Sequence, residues 1–540
     1  MDKHCFMGGI GLAAALAAAA PAWSQSIPTP AQIDSGAAQR RGLEQRRELE
    51  QQGAPRETVT DPLQVEPPAA PAAAPAGQVR FPLAGVRLND SAFLGREELT
   101  AIVRPWIGKE VGFADLQQIV SQINAAYRAR GIATAQAVLP PQDVAGGVVQ
   151  IQLVEGRLGG IALEHLSYTE PDFIRARVPL EDGKVVDTQA LEQALVRFNR
   201  TSEIQLKAAL RPGTAFGTTD VVLDVLEPPR NQFQLFADNQ GVESTGEYQL
   251  GFVARRNGLL GRDDQASLYL VGSDGTWTGS AGYTVAVNRG NGRLGVSYAR
   301  NTLEIVKGPF AALDITGESS TFALTFRQPL KVEAAAQWDM LLSASRSDSK
   351  TRISGVPFSD STVDKLSAGA TYDRSAGWGR WLTTHTLSYA SVDSPSESWP
   401  SFVAYTGSLN VLAPLGWGTL ALNAGWQWLN DDQAPASEQF QVGGLYSVRG
   451  YAQGIAAATR GYFAQLELHR QLAAGLDGFV FADFGAVMPE PKERIAGVGA
   501  GISYRPDQRW TINVSYGHAL KEIVPDQDSG RLDARVVFSF

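Results

Sequence analysis

The segment Thr419-Leu420-Ala421-Leu422-Asn423-Ala424-Gly425-Trp426-Gln427-Trp428 decides how the second half of this chain folds. Its even-numbered residues are all apolar, and polar or small residues occupy most of the positions between them. Strict alternation is typical of a β-strand with one apolar face. A strand of about ten residues with aromatic side chains near its end is long enough to cross a bilayer. The segment therefore predicts a membrane-spanning strand.

Similar segments follow one another from Asn231 to the end of the chain, a region that holds 9 of the 11 Trp and 12 of the 14 Tyr. We count sixteen of them, starting near residues 231, 244, 264, 277, 292, 316, 336, 361, 380, 401, 417, 460, 477, 494, 508 and 531. A soluble β-sandwich alternates in the same way, but it seldom reaches 310 residues and its strands are shorter. Sixteen is an even number, as single-chain bacterial barrels have. Residues 231–540 are therefore predicted to form an all-β transmembrane barrel of sixteen antiparallel strands.

The last predicted strand has one apolar face that ends on Phe540. A terminal phenylalanine in such a strand resembles the assembly signal of outer-membrane barrels, which implies the barrel-assembly machinery as a partner during biogenesis. An ordinary terminal strand is the alternative.

The first residues indicate export. Lys3 and His4 precede an apolar stretch, Gly8–Ala20, and a small-x-small site follows at Ala22-Trp23-Ser24. We expect residues 1–24 to be a signal peptide, because the apolar run is too short for a membrane anchor. The single cysteine, Cys5, would be removed with it, which excludes disulfides and thiolate metal sites.

Composition excludes several functional classes. The net charge of -9 argues against a general nucleic-acid-binding protein. A mean hydropathy of -0.13, with no long apolar run after residue 25, excludes a helical membrane protein. No HExxH or Walker motif is present, and the glycines of Gly497–Gly501 lie within a predicted strand, where close packing explains them better than phosphate binding. We expect no catalytic residue, metal or other cofactor.

Two segments precede the folded modules. Residues 27–53 are predicted to form one helix, with arginines and glutamates paired at i,i+4 as in Arg40–Glu44 and Arg46–Glu50. A helix that is polar all round cannot pack on a core, so it bridges solvent or fills a wet cavity. Residues 54–78 are rich in Pro and Ala and are predicted to be an extended linker.

Residues 79–229 contain an internal repeat. Leu116, Gln118 and Asn124 recur as Leu191, Gln193 and Asn199, each shifted by 75 positions. In both copies an amphipathic helix is followed by two short alternating strands. Two α+β modules are therefore predicted, at residues 79–155 and 156–229.

A resemblance to a known family rests on two motifs. The long segment 430–459 contains Val448-Arg449-Gly450-Tyr451, and a later strand reads Phe479-Val480-Phe481-Ala482-Asp483-Phe484-Gly485. With the helix, the linker, the two modules and the barrel, the chain resembles the two-partner secretion transporters of the TpsB type. These form the ShlB/FhaC/HecB-like haemolysin secretion/activation family, in the superfamily of the central barrel-assembly protein BamA. The resemblance covers essentially the whole mature chain.

The resemblance implies a function and partners. It implies an outer-membrane pore that secretes one large TpsA-type exoprotein, such as an adhesin, a haemolysin or a contact-dependent toxin. The modules would be POTRA modules in the periplasm that bind the unfolded client, and outer-membrane lipid would surround the barrel. A general barrel-assembly insertase is the alternative, although that branch usually carries more POTRA modules.

The resemblance to this family leads to three predictions about functional sites. The polar helix is expected to plug the pore, with a free periplasmic tail as the alternative. The modules are expected to pair with the client along a sheet edge, at Thr134–Leu139 in the first module and at Ile204–Arg211 in the second, with Ile204, Leu206, Ala208 and Leu210 as candidate residues. Modules that only space the barrel from the periplasm are the alternative.

The third prediction concerns the two motifs. Val480, Ala482 and Phe484 are expected to face lipid, which turns Phe479, Phe481, Asp483 and Gly485 into the lumen. The folded-back loop would then pair Arg449 with Asp483, and a solvated loop arginine with an unrelated lumen aspartate is the alternative.

Overall fold

The computed structural model describes residues 34–51, 59, 62–65 and 80–540, apart from gaps at 133, 145, 309, 396–399, 490–491 and 526. The predicted signal peptide and most of the predicted linker lie outside this part of the chain. The described residues form one helix, two small α+β modules and a closed barrel.

Helix α1 spans Ser35–Gln51. Asp34 caps it, because its Oδ1 accepts a hydrogen bond of 2.8 Å from the backbone N–H of Ala37. A short strand, β1, then forms at Leu63–Val65 inside the stretch predicted as a linker. Among the described residues, no helix has the length and apolar character needed to cross a bilayer.

The first module folds around one amphipathic helix. Its elements are β2 Phe81–Pro82, β3 Gly85–Leu88, α2 Arg96–Val103, a 3-10 turn at Arg104–Trp106, β4 Glu110–Val111, α3 Phe113–Ala129, β5 Ala135–Val138 and β6 Val148–Glu155. Helix α3 buries Leu116, Ile119, Ile123 and Tyr127, which recur every three or four residues along one face. This face packs on a sheet of order β3-β6-β5.

The second module repeats this plan. Its elements are β7 Arg157–Glu164, α4 Pro171–Arg175, α5 Thr188–Thr201, β8 Gln205–Pro212 and β9 Thr218–Leu226. Helix α5 buries Leu191, Leu195 and Phe198 against the sheet. That sheet has the order β1-β8-β9-β7, so the linker strand β1 is one of its edges.

Sixteen antiparallel strands close into a barrel, which confirms the predicted fold class. They are β10 Asn231–Asp238, β11 Gln249–Asn257, β12 Gln265–Gly272, β13 Thr276–Ala286, β14 Arg293–Glu304, β15 Ile315–Val332, β16 Ala336–Ile353, β17 Val356–Ala376, β18 Gly379–Asp393, β19 Phe402–Leu415 and β20 Gly418–Leu429, and then β23 Arg460–Ala473, β24 Leu476–Met488, β25 Glu493–Tyr504, β26 Trp510–Ala519 and β27 Gly530–Ser539. Two short strands, β21 Phe440–Val442 and β22 Ala456–Ala458, pair within the long loop between β20 and β23. Short 3-10 turns lie at Glu243–Thr245, Ala311–Leu313 and Ala436–Glu438.

Two strand starts differ from the sequence prediction by five residues, whereas the other fourteen lie within two residues of it. The predicted start near 244 moves to Gln249, because residues 243–245 form a 3-10 turn. The predicted start near 361 moves back to Val356, because β17 continues its ladder with β16 beyond the end of β18. Both errors lie where the apolar and polar residues stop alternating.

The barrel has a module end, where β10 follows the second module, and an opposite far end. Strand β10 closes the barrel against β27, and Phe233 and Phe540 exchange backbone hydrogen bonds of 3.1 and 2.9 Å at the module end of this seam. Along β27 the two faces differ, since Leu532 is 42% exposed while Arg535 is 2% exposed. The apolar face points outwards and the polar face lines the lumen.

Candidate functional site

Helix α1 lies inside the lumen of the barrel. At the far end, the Ser35 hydroxyl donates to the carbonyl oxygen of Glu318 at 2.9 Å, and the Ser319 hydroxyl donates to the carbonyl of Ser35 at 3.0 Å. The backbone N–H of Gly36 donates to the Ser349 hydroxyl at 3.2 Å. The first turn of α1 is thus attached to strands β15 and β16.

The middle of α1 is attached to strands β10 and β12 of the barrel wall and to the long loop between β20 and β23. The Gln45 amide donates to Asp238 Oδ2 at 3.0 Å and accepts from the Tyr269 hydroxyl at 2.9 Å. Arg46 donates to the Ser267 hydroxyl at 2.8 Å, and Arg41 donates to the Gln441 side chain in the long loop at 3.0 Å. Polar side chains that looked unsuited to a core therefore meet polar partners around the lumen.

The long loop folds back into the lumen and pairs Arg449 with Asp483. Arg449 Nε donates to Asp483 Oδ2 and Arg449 Nη2 to Oδ1, both at 2.7 Å, and the backbone N–H of Arg449 donates to Oδ2 at 3.0 Å. The two side chains are 4% and 0% exposed. The structure thus brings together the two charged residues that the sequence motifs singled out.

Three further side chains complete this cluster. Arg449 Nη1 donates to Glu467 on β23, and the other carboxylate oxygen of Glu467 lies 2.7 Å from His469 Nε2. The guanidinium carbon of Arg449 lies 3.6 Å from the ring centroid of Phe481, which indicates a cation–π contact. Sequence reasoning missed Glu467, although a charged residue at an inward position of the strand before the Asp-x-Gly motif was a usable signal.

The rest of the loop motif packs closely on the wall. A Cβ on Gly485 would lie 2.7 Å from Val448 Cγ2, so only glycine leaves room for the loop there. Gly450 has a φ of +91°, which favours glycine. The Tyr451 hydroxyl oxygen lies 3.1 and 3.0 Å from the carbonyl oxygens of Ala496 and Lys521, which share its one proton as acceptors. Val448, Gly450, Tyr451 and Gly485 are thus placed together by the fold.

A second buried cluster, also missed from the sequence, joins the seam to α1 and to the loop. Arg535 Nε on β27 donates to Asp238 Oδ2 on β10 at 3.0 Å, which is the oxygen that also accepts from Gln45. Arg535 Nη2 donates to the Tyr446 hydroxyl of the loop at 3.0 Å. Opposite charges on the first and last strands, Asp238 at the end of β10 and Arg535 in the middle of β27, were the only sequence signal for it.

The predicted client edge of the second module is already paired. Strand β1 runs parallel to β8 with Leu63 opposite Ala208 and Val65 opposite Leu210, and Ala208 N–H donates to Pro62 O at 2.7 Å. The candidate side chains Ile204, Leu206, Ala208 and Leu210 are all buried in the module core. A client can therefore reach only the backbone of β8, and only after β1 has left.

The second module is held against the module end of the barrel. Asp263, in the turn between β11 and β12, accepts a hydrogen bond of 3.0 Å from Glu203 N–H and pairs with Arg293 Nη1 at 2.5 Å. The pKa of Asp263 is raised to about 6, mainly because the carboxylate is buried. The charge of Arg293 opposes this rise in pKa, and the nearby Glu203 carboxylate adds to it. On the other side, Arg177 donates to the Asn291 side chain at 2.6 Å.

Within the described part of the chain, no group of three or more His, Cys, Asp or Glu side chains has the geometry of a metal site. The lumen instead presents hydrogen-bond donors, acceptors and paired charges, which suit the reversible docking of polypeptide segments.

Comparisons with known proteins agree with this geometry. Residues 217–504 match the family model "Haemolysin secretion/activation protein ShlB/FhaC/HecB", and residues 81–156 match the "POTRA domain, ShlB-type". The chain is 24% identical over 501 residues to the heme/hemopexin transporter protein HuxB of Haemophilus influenzae strain 86-028NP, which covers 86% of this chain and 88% of HuxB. It is 26% identical over 419 residues to the outer membrane transporter CdiB of Dickeya dadantii, with 72% of each chain covered.

Among solved structures, CdiB from Escherichia coli matches with a TM-score of 0.65 at 20% identity, over 96% of this chain and all of that one. At this identity the match shows a shared fold.

Proposed function

This chain belongs to the haemolysin secretion/activation protein family ShlB/FhaC/HecB, whose model matches more than half of it, and from this membership we propose how its pore is closed and opened. The protein is an outer-membrane transporter that translocates a partner exoprotein, and its POTRA modules lie in the periplasm. The far end of the barrel is therefore the extracellular end. We propose that the structure is the closed state, in which α1 and the long loop fill the lumen.

One observation carries this proposal, namely that the lumen holds a whole α-helix. A helix with its side chains is about 10–12 Å wide, and an extended chain is narrower. A lumen freed of α1 therefore admits an unfolded polypeptide. The helix is attached by separate hydrogen bonds to side chains and backbone carbonyls, each of which contributes about 0.5–1.5 kcal/mol in exchange with water, or about 1.5–3 kcal/mol where a charged group takes part, so it can leave without unfolding the barrel.

Recognition of the client is proposed to occur at β8. An unfolded exoprotein offers an extended backbone, and β-strand addition to a sheet edge uses such a backbone directly. The pairing of β1 with β8 supports this proposal, because a segment of this chain already uses the edge in that way. The client would replace β1, which has only three residues. In the first module, β5 pairs with β6 alone among the described residues and is a second candidate edge.

The class of exoprotein is a further proposal. The relatives carry different names, a heme/hemopexin transporter and a CdiB transporter, so an adhesin, a haemolysin and a contact-dependent toxin all fit. Outer-membrane lipid on the apolar outer face and the barrel-assembly machinery are proposed as further partners. The family relation favours secretion over a general barrel-assembly insertase.

Secretion by a deletion strain tests the function. The gene for this chain is deleted, candidate exoproteins encoded beside it are expressed, and the exoprotein outside the cells is measured with and without a plasmid copy of this chain. We expect export only with the plasmid, and unchanged levels of other outer-membrane barrels. A general loss of barrels in the deletion strain would instead indicate an insertase.

A further inference from the structure

One side of the lumen is lined by side chains that carry hydroxyl groups. On β16, five successive inward positions are occupied by Ser343, Ser345, Ser347, Ser349 and Thr351. This face points inwards because the Ser349 hydroxyl lies 3.0 Å from the Ser35 hydroxyl of α1, whereas Leu342, on the other face of the strand, is 42% exposed. Five consecutive positions of the lumen wall are therefore polar but uncharged.

The neighbouring strands continue this lining. Hydroxyl oxygens meet across the strands in three pairs, Thr321–Ser347 at 2.9 Å, Ser367–Ser388 at 2.8 Å and Thr371–Thr384 at 3.2 Å. We define the hydroxyl strip as the inward residues of segments 319–325, 343–351, 367–371 and 384–388. Serine and threonine fill it, apart from one alanine and one glycine. The strip thus extends over four neighbouring strands, β15 to β18, without a charge.

Charged side chains border the strip but do not enter it. Lys365, the next inward residue of β17, is paired with Glu438 of the long loop, and Asp339 at the module end of β16 is paired with Arg327 at 2.7 Å. The buried ion pairs of the loop and of the seam involve strands β10, β23, β24 and β27. These strands belong to the other half of the barrel, so a neutral half and a charged half face each other across the lumen.

Helix α1 covers the extracellular end of the strip. Ser35 contacts Ser319 and Ser349, and the Thr321 hydroxyl donates to Gln39 Oε1 at 2.8 Å. These attachments join neutral groups, whereas the long loop is attached to β23 and β24 through buried ion pairs. Withdrawal of α1 therefore uncovers the strip while the loop stays docked. A chain that passes through the space left by α1 contacts the strip.

Hydroxyl groups suit contact with a moving polypeptide backbone. A hydroxyl both donates and accepts hydrogen bonds and rotates to suit its partner, so it can pair with an N–H or with a carbonyl group. When the backbone moves on, the hydroxyls pair again with one another or with water, and this exchange of partners changes the free energy little. A neutral wall also neither retains nor repels a charged side chain as a fixed charge would.

We propose that the hydroxyl strip is the surface along which the unfolded exoprotein slides through the pore, and that its neutrality allows segments of either charge to pass. The inference rests on the proposed function, since it requires an unfolded client in the lumen. It adds which wall the client contacts. It also adds what that wall recognises, namely the polypeptide backbone and not particular side chains.

Photo-crosslinking tests the path. A photoreactive phenylalanine analogue replaces Ser345, and the exoprotein identified in the secretion assay carries a carboxyl-terminal domain too stable to unfold, so that it halts in the pore. The control places the same analogue at Asn513 on β26, which is the fifteenth strand of the barrel and lies opposite β16, the seventh. Asn513 points inwards, because Tyr516 on the other face is 50% exposed. We expect at least fivefold more crosslinked exoprotein from position 345 than from 513, and a smaller ratio or no crosslink would overturn the inference.

Charges placed in the strip test its neutrality. Ser345→Arg and Ser345→Asp are compared with Ser345→Thr, which keeps the hydroxyl, and heat-modifiable gel mobility checks that each barrel folds. The exoprotein carries an inserted run of glutamates or of lysines, and its appearance outside pulse-labelled cells is timed. We expect the ratio of the two export rates to be the same in Ser345→Thr as in the unmodified protein. In the Arg and Asp variants, the ratio should change at least fivefold and in opposite directions.

A ratio that does not depend on the residue at position 345 would overturn the inference while leaving the transport function intact. If the unmodified protein exports no exoprotein, it is the proposed function that fails.

Discussion

Replacing Arg449 by alanine should release the long loop from the barrel wall. Arg449 donates three hydrogen bonds to Asp483 and one to Glu467, and both carboxylates lie inside the lumen. The Arg449→Ala variant keeps the backbone donor but removes the guanidinium from both carboxylates, so that Glu467 keeps its contact with His469 and Asp483 keeps only the backbone N–H of residue 449. The Asp483→Ala variant is milder, because Arg449 still pairs with Glu467. We therefore expect the arginine substitution to have the larger effect.

The expected magnitude follows from burial. Removing one partner of a buried, hydrogen-bonded ion pair costs about 3–5 kcal/mol. At roughly 1.4 kcal/mol for each factor of ten, the undocked loop becomes about one hundred to about four thousand times more populated. In the double variant Arg449→Ala/Asp483→Ala, one unneutralised carboxylate is also removed. The double variant should therefore be no worse than Arg449→Ala alone.

Cysteine labelling measures this population directly. No cysteine follows Cys5, so Ser447→Cys places a single thiol in the buried part of the loop. Its reaction with a maleimide that cannot cross membranes reports how often the loop undocks, and exoprotein secretion is measured in the same strains. The Ser447→Cys variant without further changes is the control. Each single variant increases the labelling rate by some factor over the Ser447→Cys control. If the factor for the double variant equals the product of the two single factors, the residues act independently and the pairing argument fails.

Three further predictions concern the helix, the linker strand and the junction with the second module. Deleting residues 34–51 should raise the single-channel conductance in planar bilayers severalfold, and an unchanged conductance would mean that α1 does not obstruct the pore. Gln64→Pro removes the N–H that β1 directs at β8 in a parallel ladder, which should free the edge of β8. The purified amino-terminal domain of the exoprotein should therefore bind the Gln64→Pro variant more tightly than a Gln64→Ala control. Ala208→Pro removes the donor on β8 itself and should abolish this binding, whereas equal affinities for all three variants would place recognition elsewhere. Because the folded-state pKa of Asp263 is raised to about 6 from an ordinary value of 3.8, the folded state holds more protons between these values, and stability falls as the pH rises from about 4 to 6. The melting temperature of the unmodified protein should therefore fall relative to Asp263→Asn over that interval and run parallel above pH 7, whereas parallel curves at every pH would contradict the assignment.

The barrel could be predicted because a membrane strand carries its own periodicity. Alternation along segments such as Thr419–Trp428 reflects lipid on one side and the lumen on the other, so most strand starts lie within two residues of the structure. The start of β17 escaped this reasoning, because it continues the ladder with β16 beyond the point where pairing with β18 ends at Thr362. A strand that extends beyond the lipid no longer has to alternate.

Partnerships between distant segments were harder to predict. Arg449 and Asp483 could be paired because each lies in a recognisable motif. Glu467 and the Asp238–Arg535 cluster depend on which side chains the closed barrel brings together across the lumen. The strand Leu63–Val65 has no strand pattern of its own, since its conformation comes from pairing with β8. Structure that is induced by a neighbour leaves little trace in the segment that adopts it.

The polar attachment of α1 also has a thermodynamic consequence. A positive heat-capacity change accompanies the exposure of apolar surface, whereas exposure of polar surface makes a negative contribution. Among the helix residues whose side chains are described, the buried positions are mostly Ser, Gln, Arg and small Ala. Withdrawal of α1 should therefore have a heat-capacity change near zero and an enthalpy that hardly varies with temperature. The logarithm of the ratio of open to closed pores should then be linear in reciprocal temperature over the whole range in which the barrel stays folded.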